Sequence, residues 1–479
     1  MWRPRGWPAA LREVQQMCTT HRALMRIIGR MATPRLAELR LSKFKSFHDA
    51  VLTLHPVTFL TGLNSSGKSN ALDGLEVLSR LASGAELGDA LDGRMTQTGP
   101  IRGGSRGCAP HGTESFELGC TVESGRDTYR YDVEVQVYPE LRVVKESLIG
   151  TGYSVKSGTR TSDAELFKTQ PAADNRAGIY TLIFSGKRGA NPTTLLRDSR
   201  LILGQIKAVL AGKNRAENSV LKGASIVSMA LRSVFHLDPV PSLMRDYVPR
   251  KSTQLKRSGE NLSAVLWQLQ KDSPKTFQEL GQLAAYVTGV DSTLDFIDSP
   301  LDEVMLTLVE HFEDGKQERT PAREMSDGLL RFLAIATALK TAPKDLDIEQ
   351  PLELGDDVEN PVAQIVVEEM ENGLHPSQAQ RVMQMLSESA RKHDSQVLVT
   401  THSPAILDQI SGEKNSQVAV CYRDSGTGQS ELSPLVELPD FVESISKHSL
   451  GAAVTAGELV DDTETQTSFE NMNRLFGIS

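Results

Sequence analysis

Apolar residues in this chain fall into short blocks with period two or no period, alternating with longer blocks at helical spacing, which predicts an α/β protein. Leu36, Leu39 and Leu41 predict a strand leading into a tight turn over 43–47; Leu52 and Leu54 then alternate with Thr53 and His55 as a half-buried strand. Residues 57–61 are a β-branched and aromatic run expected to be a buried strand. Over 70–81, Leu72, Leu75, Leu78 and Leu81 recur every third position and mark one apolar helix face. Residues 83–112, broken by Gly99-Pro100 and Gly103-Gly104, read as loop or short helix. Three β-rich runs follow at 116–122, 129–137 and 141–149; Ser124-Gly125-Arg126 and Pro139-Glu140 between them predict an antiparallel meander.

The pattern over 150–200 is polar and assigns no element, whereas 194–210 and 219–235 have helical spacing. A helical pair is predicted at 261–270 and 276–287, with strands near 294–297 and 304–312. Leu329, Leu330, Phe332, Leu333, Ile335, Ala336 and Leu339 define a long apolar helix, and 365–367 and 397–401 are buried strands. No heptad repeat is sustained, so long coiled-coil arms are not expected.

A length of 479 residues allows two or three ordinary domains, or one large α/β unit carrying an insertion. With 39% hydrophobic and 24% charged residues the composition is that of a soluble globular protein. No apolar run approaches the roughly 20 residues of a membrane span, so work at a membrane would need a partner. Cys18, Cys108, Cys120 and Cys421 lack zinc-site or disulfide-framework spacing, which fits the cytoplasm. A formal charge of −9 argues against a generally basic surface but leaves room for a local groove. Arg245, Arg250, Lys251, Lys256 and Arg257, in the polar stretch 239–259, are the candidates for nucleic-acid phosphates, or else a solvated loop. Residues 1–30 carry Arg3, Arg5, Arg12, Arg22, Arg26 and Arg30 against the single acid Glu13, without a secretory apolar core. They are expected to be a poorly ordered extension (1–33) ahead of the regular segment that Met31 opens, the other reading being a functional basic arm.

The chemistry centres on Gly62, Leu63, Asn64, Ser65, Ser66, Gly67, Lys68 and Ser69, the pattern G-x-x-x-x-G-K-[ST] placed between a strand and a helix. Its glycines allow a tight cup of backbone N–H groups at a helix N-terminus, a phosphate cradle. Lys68 would reach the β- and γ-phosphates of ATP, and the Ser69 hydroxyl would sit on Mg²⁺. Three later groups fit the same chemistry. Met325-Ser326-Asp327-Gly328 precedes the apolar helix as a cap or an anion site. The strand 365–367 ends in Glu368 and Glu369, where Glu368 would hold the Mg²⁺ water shell and Glu369 would orient or deprotonate water. The next strand ends at His402, placed to sense the γ-phosphate.

Together the phosphate loop, the Met-Ser-Asp-Gly signature, the run Glu368-Glu369-Met370-Glu371-Asn372-Gly373-Leu374-His375-Pro376 and Thr400-Thr401-His402-Ser403-Pro404 resemble the ABC-type ATPase heads of the RecF, SMC and OLD group. They are most similar to compact predicted AAA-type ATPases grouped with OLD nucleases but lacking the TOPRIM nuclease. Residues 35–47, Leu237-Asp238-Pro239 with Gly259-Glu260-Asn261-Leu262, and Ser449-Leu450-Gly451 with Gly457-Glu458-Leu459 also resemble that family, so the likeness spans about 34–460. It departs at Glu368, Met370 and Leu329, where relatives have Asp, Pro and Gln.

The resemblance implies a P-loop head with a mixed β-sheet core, an antiparallel β lobe and an inserted helical subdomain. An ATPase domain would cover 34–449, its core lobe being 34–112 plus 320–449, its insertion 113–319, and 450–479 a tail. ATP would be sandwiched in a homodimer, with Gly62, Asn64, Ser65, Ser66, Gly67, Lys68, Ser69 and Asn70 from one chain and Ser326 and Gly328 from the other. Ser69 and Glu368 would take the metal, Glu369 would be the catalytic acid and His402 the switch histidine, with 372–375 at the dimer seam. The partner would be DNA or an effector protein, such as a separately encoded nuclease. A transporter subunit is disfavoured because the signature is Met-Ser-Asp-Gly in place of the transporter's Leu-Ser-Gly-Gly-Gln, and a β-rich insertion plus roughly 200 residues separates it from the loop. A built-in nuclease is disfavoured because only about 77 residues follow His402, and Asp461 and Asp462 stand adjacent to each other in a polar tail instead of in the spacing such a module needs.

Overall fold

The computed structural model describes residues 33–456 apart from 94–98, 171–177, 342–344, 349–361, 373–374, 393–394, 411, 440, 442–443 and 445–446. The expected extension over 1–32 and the tail beyond 456 lie outside the described residues.

The chain opens with β1 (Arg35–Lys43) and β2 (Ala50–Thr53), an antiparallel pair joined by a turn in which Phe44 and Phe47 exchange backbone hydrogen bonds. Next come β3 (Val57–Thr61), the loop 62–67 and α1 (Lys68–Ala82), followed by the short α2 (Leu87–Asp92). β4 (Ser115–Ser124), β5 (Asp127–Gln136) and β6 (Arg142–Tyr153) form the expected meander. It continues where the polar pattern assigned nothing, through β7 (Arg160–Gln170), β8 (Ile179–Ile183) and β9 (Thr193–Leu196). All eight strands make one antiparallel sheet in the order β2-β1-β4-β5-β6-β7-β8-β9.

Two helical expectations shift. The stretch 194–210 is not one helix: Thr193–Leu196 is the edge strand β9, and α3 begins only at Ile202 (Ile202–Val209). Its start is capped from the sheet, since the buried Glu146 of β6 accepts from the N–H groups of Ile202 and Leu203, both at 2.7 Å, and from the Tyr131 hydroxyl at 2.9 Å. The helix expected at 219–235 is α4 (Arg215–Arg232); the Asn214 side chain caps it, accepting from Ala216 and Glu217. It stops where Val234–Leu237 becomes β10.

Next come β11 (Val248–Pro249), α5 (Leu262–Asp272), α6 (Pro274–Thr288), β12 (Ser292–Ser299), β13 (Glu303–His311) and β14 (Gln317–Pro321). These strands pair around β13. α7 (Asp327–Lys340), β15 (Gln364–Val367), α8 (Ala379–Lys392), β16 (Gln396–Thr400), α9 (Pro404–Leu407), β17 (Val418–Arg423), β18 (Ser430–Pro434) and α10 (Leu450–Ala456) complete the described chain. The Gly451 N–H donates to Asp408 at 2.7 Å, so the first residues of the expected tail are docked on the segment after α9.

The central sheet runs β10-β15-β16-β3-β17-β18, parallel except for the last pair. Both faces are covered, which explains why its strands read as unbroken apolar runs. Leu60, Val366, Leu398 and Cys421 point into one core with α1, α4 and the antiparallel sheet. Phe59, Ile365, Val367, Val397 and Val399 point into the other with α5 to α8. The parallel strands therefore deliver the loops after β3, β15 and β16 to one sheet edge, where open α/β sheets take ligands.

Candidate functional site

The loop after β3 is a backbone cup. Gly62 (φ 145°), Ser65 (φ 66°) and Gly67 (φ 117°) all have positive φ. A side chain at Gly62 would place its Cβ 2.0 Å from the Cys421 carbonyl oxygen, and one at Gly67 would sit 2.4 Å from the Ser430 hydroxyl. The two glycines are thus required by close approach as well as by conformation. Behind the cup, Ser430 Oγ donates to the Ser66 carbonyl at 2.6 Å. α1 starts at Gly67 with no side-chain cap and no acid in its first turn. Those features suit a polyphosphate, which accepts from bare N–H groups at the positive end of a helix dipole. The Ser66 hydroxyl is buried there without a partner among the described residues.

Lys68 Nζ donates to the carbonyls of Gly62 and Leu63, both at 2.8 Å, and so stays at the mouth of the cup. Burial lowers its pKa, with the charges of Glu369, Glu371 and Glu368 opposing. Asn64 and Ser65 are exposed on the rim. Asn70 turns away, donating to the Ser46 hydroxyl at 2.8 Å and bracing the β1–β2 turn.

At the end of β15 the Glu368 carboxylate accepts from Ser69 Oγ. A hydroxyl and a carboxylate in contact beside a phosphate cradle form the hard oxygen set that suits Mg²⁺. Glu369 follows with φ 47°, a left-handed conformation that costs a non-glycine residue about 1–3 kcal/mol and occurs where a site over-determines it. Its N–H is held by Thr400 Oγ1 at 2.8 Å and its carboxylate by the Asn372 amide at 2.5 Å. His402, after β16, sits with Nδ1 3.1 Å from Glu371 Oε1, and the same oxygen accepts from the His402 N–H at 2.6 Å. Residues 373 and 374 of the expected seam loop lie outside the described residues.

The structure adds residues that motif reading passed over. Arg102 reaches over the start of α1, donating to Asp73 and to the Ser69 carbonyl at 3.0 Å and lying 3.7 Å from Glu368. Asp73 also takes Lys45 at 2.6 Å. Further along α1, Glu76 accepts from Arg80 and from both Nη atoms of Arg257. Burial would raise its pKa, but His236, Arg257 and Arg80 prevail and hold it at about 2. A cavity of about 310 Å³ lies here, lined by Asp73, Glu76, Arg102, Arg257 and Glu368. Glu371 stands inside the quoted acidic run and Arg257 inside the basic stretch, as a candidate phosphate contact; Arg102, Asp73, Lys45 and Glu76 lie on loops or on a helix and carry no motif of their own.

Among the described residues Ser326 makes hydrogen bonds with its own helix and none with the phosphate loop. Ser326 caps α7, its hydroxyl accepting from Leu329 N–H at 3.2 Å, with Asp327 exposed beside it. The basic stretch departs from a free phosphate-binding patch: Arg245 pairs with Asp327, Arg250 with Asp298, Lys256 with Glu260 and Arg257 with Glu76.

Residues 57–408 match the family described as "AAA domain, putative AbiEii toxin, Type IV TA system". Solved structures with a similar fold include an SMC head bound to the C-winged helix domain of ScpA, at 13% identity, 83% of this chain and 97% of that one covered, TM-score 0.43. Another is the Smc head with an extended coiled coil bound to the C-terminal domain of ScpA from Pyrococcus furiosus, at 12%, 86%, 100% and 0.41. A third is the recombination mediator RecF with ATP, at 12%, 77%, 93% and 0.30. No curated protein matches the chain.

Proposed function

The chain belongs to this AAA domain family of ATPases, and from that premise we propose that it is a Mg²⁺-dependent ATPase whose heads close in pairs around ATP to switch an effector. The observation that carries the reading is the contact of Ser69 with Glu368, which joins the phosphate cradle to the acidic strand end. The loop N–H groups and Lys68 bind the phosphates. Ser69 and Glu368 would hold Mg²⁺, which would supply charge neutralisation for the phosphoryl group as it is transferred. Glu369, fixed by Thr400 and Asn372, orients and deprotonates the attacking water, and Glu371 sets the position and tautomer of His402 for the γ-phosphate. Ser326 and Gly328 complete the site of a second copy.

The switched process is antiphage defence or DNA repair and recombination; the family's description, which names a toxin–antitoxin system, favours defence. The pairing of Arg245, Arg250, Lys256 and Arg257 with carboxylates favours an effector protein, such as a separately encoded nuclease, over DNA at that surface. The buried free thiols of Cys108, Cys120 and Cys421 suit the cytoplasm. Among the described residues no helix is long and apolar enough to cross a membrane.

Glu369→Gln keeps the shape of the acid without its basicity, so it should bind ATP, dimerise and stall, and Ser326→Arg added to it should return an ATP-bound monomer in sedimentation. Mixing Ser326→Arg with Lys68→Ala should recover part of the activity, because each chain carries the half-site that the other lacks. Absence of recovery, together with wild-type activity independent of protein concentration, rejects the shared site.

A further inference from the structure

We propose that Arg245 is a positioning residue of the half-site that Ser326 presents, acting by neutralising Asp327. The inference rests on the shared-site reading above and extends it to a residue outside the motif. α7 carries Asp327 in its first turn, directly after the Ser326 cap, with its side chain 74% exposed. A carboxylate there stabilises the helix dipole but opposes a polyphosphate arriving at the same N-terminus.

Arg245 answers that charge. Its Nη2 lies 2.5 Å from Asp327 Oδ1, while Nη1 donates to the carbonyls of Arg323 at 2.8 Å and Ala322 at 3.2 Å. The guanidinium is therefore held by the backbone ahead of Ser326 as well as by the carboxylate. The clamp is reciprocal: Arg323 donates to Asp246 at 2.5 Å and lies over the Tyr247 ring at 5.6 Å. Met244, buried at 1% exposure in the core with α7, anchors the segment. An ion pair this exposed does little for stability in water. Its weight changes when a second chain brings ATP to the start of α7, because like charges repel more strongly once water is excluded. Arg245 then keeps the face of α7 neutral toward the γ-phosphate.

The test uses the full chain, with ATP hydrolysis measured at saturating ATP and affinity measured with a fluorescent ATP analogue on dilute protein. Arg245→Gln should lower kcat about tenfold or more, as expected for an uncompensated like charge at the reacting phosphate, with analogue affinity unchanged because the phosphate loop is intact. Arg245→Lys should keep most of the activity. Removing both charges in Arg245→Gln/Asp327→Asn should restore kcat, which a purely structural role for the arginine would not allow. In mixing, Arg245→Gln should be rescued by Lys68→Ala but not by Ser326→Arg, since Arg245 and Ser326 belong to one half-site and Lys68 to the other. A wild-type kcat for Arg245→Gln, or a double variant no better than the single, overturns the inference while leaving the shared site standing. Wild-type activity independent of protein concentration overturns the shared site and this inference with it.

Discussion

The hydroxyl of Ser69 donates to the carboxylate of Glu368, a residue 299 positions later, and Arg102 lies 3.7 Å from the same carboxylate. The serine lies in the first turn of α1 and the acid directly follows β15, which is two strands from β3 across β16 in the central sheet. If this pair is the metal-side set, Glu368→Gln loses half of the protein's oxygen ligands but none of the phosphate cradle. The Mg²⁺ concentration for half-maximal hydrolysis should rise at least about tenfold while nucleotide still binds. A Mg²⁺ titration that superimposes on wild type would place the metal elsewhere.

The two loop glycines differ in what a methyl group would strike. At Gly62 it is the Cys421 carbonyl oxygen at 2.0 Å, part of the β17 backbone; at Gly67 it is the Ser430 side chain at 2.4 Å, which can rotate. Gly62→Ala should therefore lower the melting temperature more than Gly67→Ala. Gly67→Ala should mainly weaken ATP binding, by moving the start of α1. Differential scanning fluorimetry with and without ATP separates the two effects.

Glu146 provides a stability signal far from the nucleotide. Burial pushes its pKa up to about 7, against the pull of the Ile202 and Leu203 N–H groups and the Tyr131 hydroxyl. A folded-state pKa above the unfolded value of 4.5 means that the native state holds the proton more tightly. Its contribution is full below about 4.5 and fades as pH rises through about 7, a change on the order of 3 kcal/mol. The stability difference between wild type and Glu146→Gln should shrink in the same window, and a difference that is flat from pH 5 to pH 8 would mean that the carboxyl is ionised throughout.

The phosphate-loop region was readable because its geometry is local: strand, cup and helix are contiguous, and both glycines answer to their own backbone angles. The acidic pair and His402 were readable because buried parallel strands are unbroken apolar runs that stop at their first charge. β7 escaped because its outer face is polar and only Ala164, Leu166, Phe167 and Thr169 are buried, too few to show a period against the turn residues around them. The run from Arg245 to Arg257 looked like one basic patch, yet its partners Asp327, Asp298 and Glu76 lie 82, 48 and 181 positions away. Arg102 escaped for the same reason, since its acids Asp73 and Glu368 come from a helix face and a strand end.

The pair Glu76–Arg257 ties α1, two turns after Lys68, to the segment that also carries Arg245. The Glu76 side chain is 9% exposed and that of Arg257 is 38% exposed, so part of the attraction is screened. Cutting one side is nonetheless costly, because Arg257→Gln leaves the buried acid with Arg80 and His236 only, and Glu76→Gln leaves the cations Arg80 and Arg257 facing each other. The double variant removes both charges, so it should be more stable than the two single losses added together. A coupling on the order of 1–2 kcal/mol is expected from chemical denaturation at pH 7. Its pH dependence follows from the acid. Glu76 titrates at about 2 in the fold against 4.5 unfolded, so its stabilisation is complete above about 4.5 and is lost as pH falls toward 2. The coupling should therefore be constant from pH 7 to pH 5 and smaller at pH 3.5. A coupling near zero at pH 7, or one unchanged at pH 3.5, would mean that the two residues touch without holding α1 to the segment.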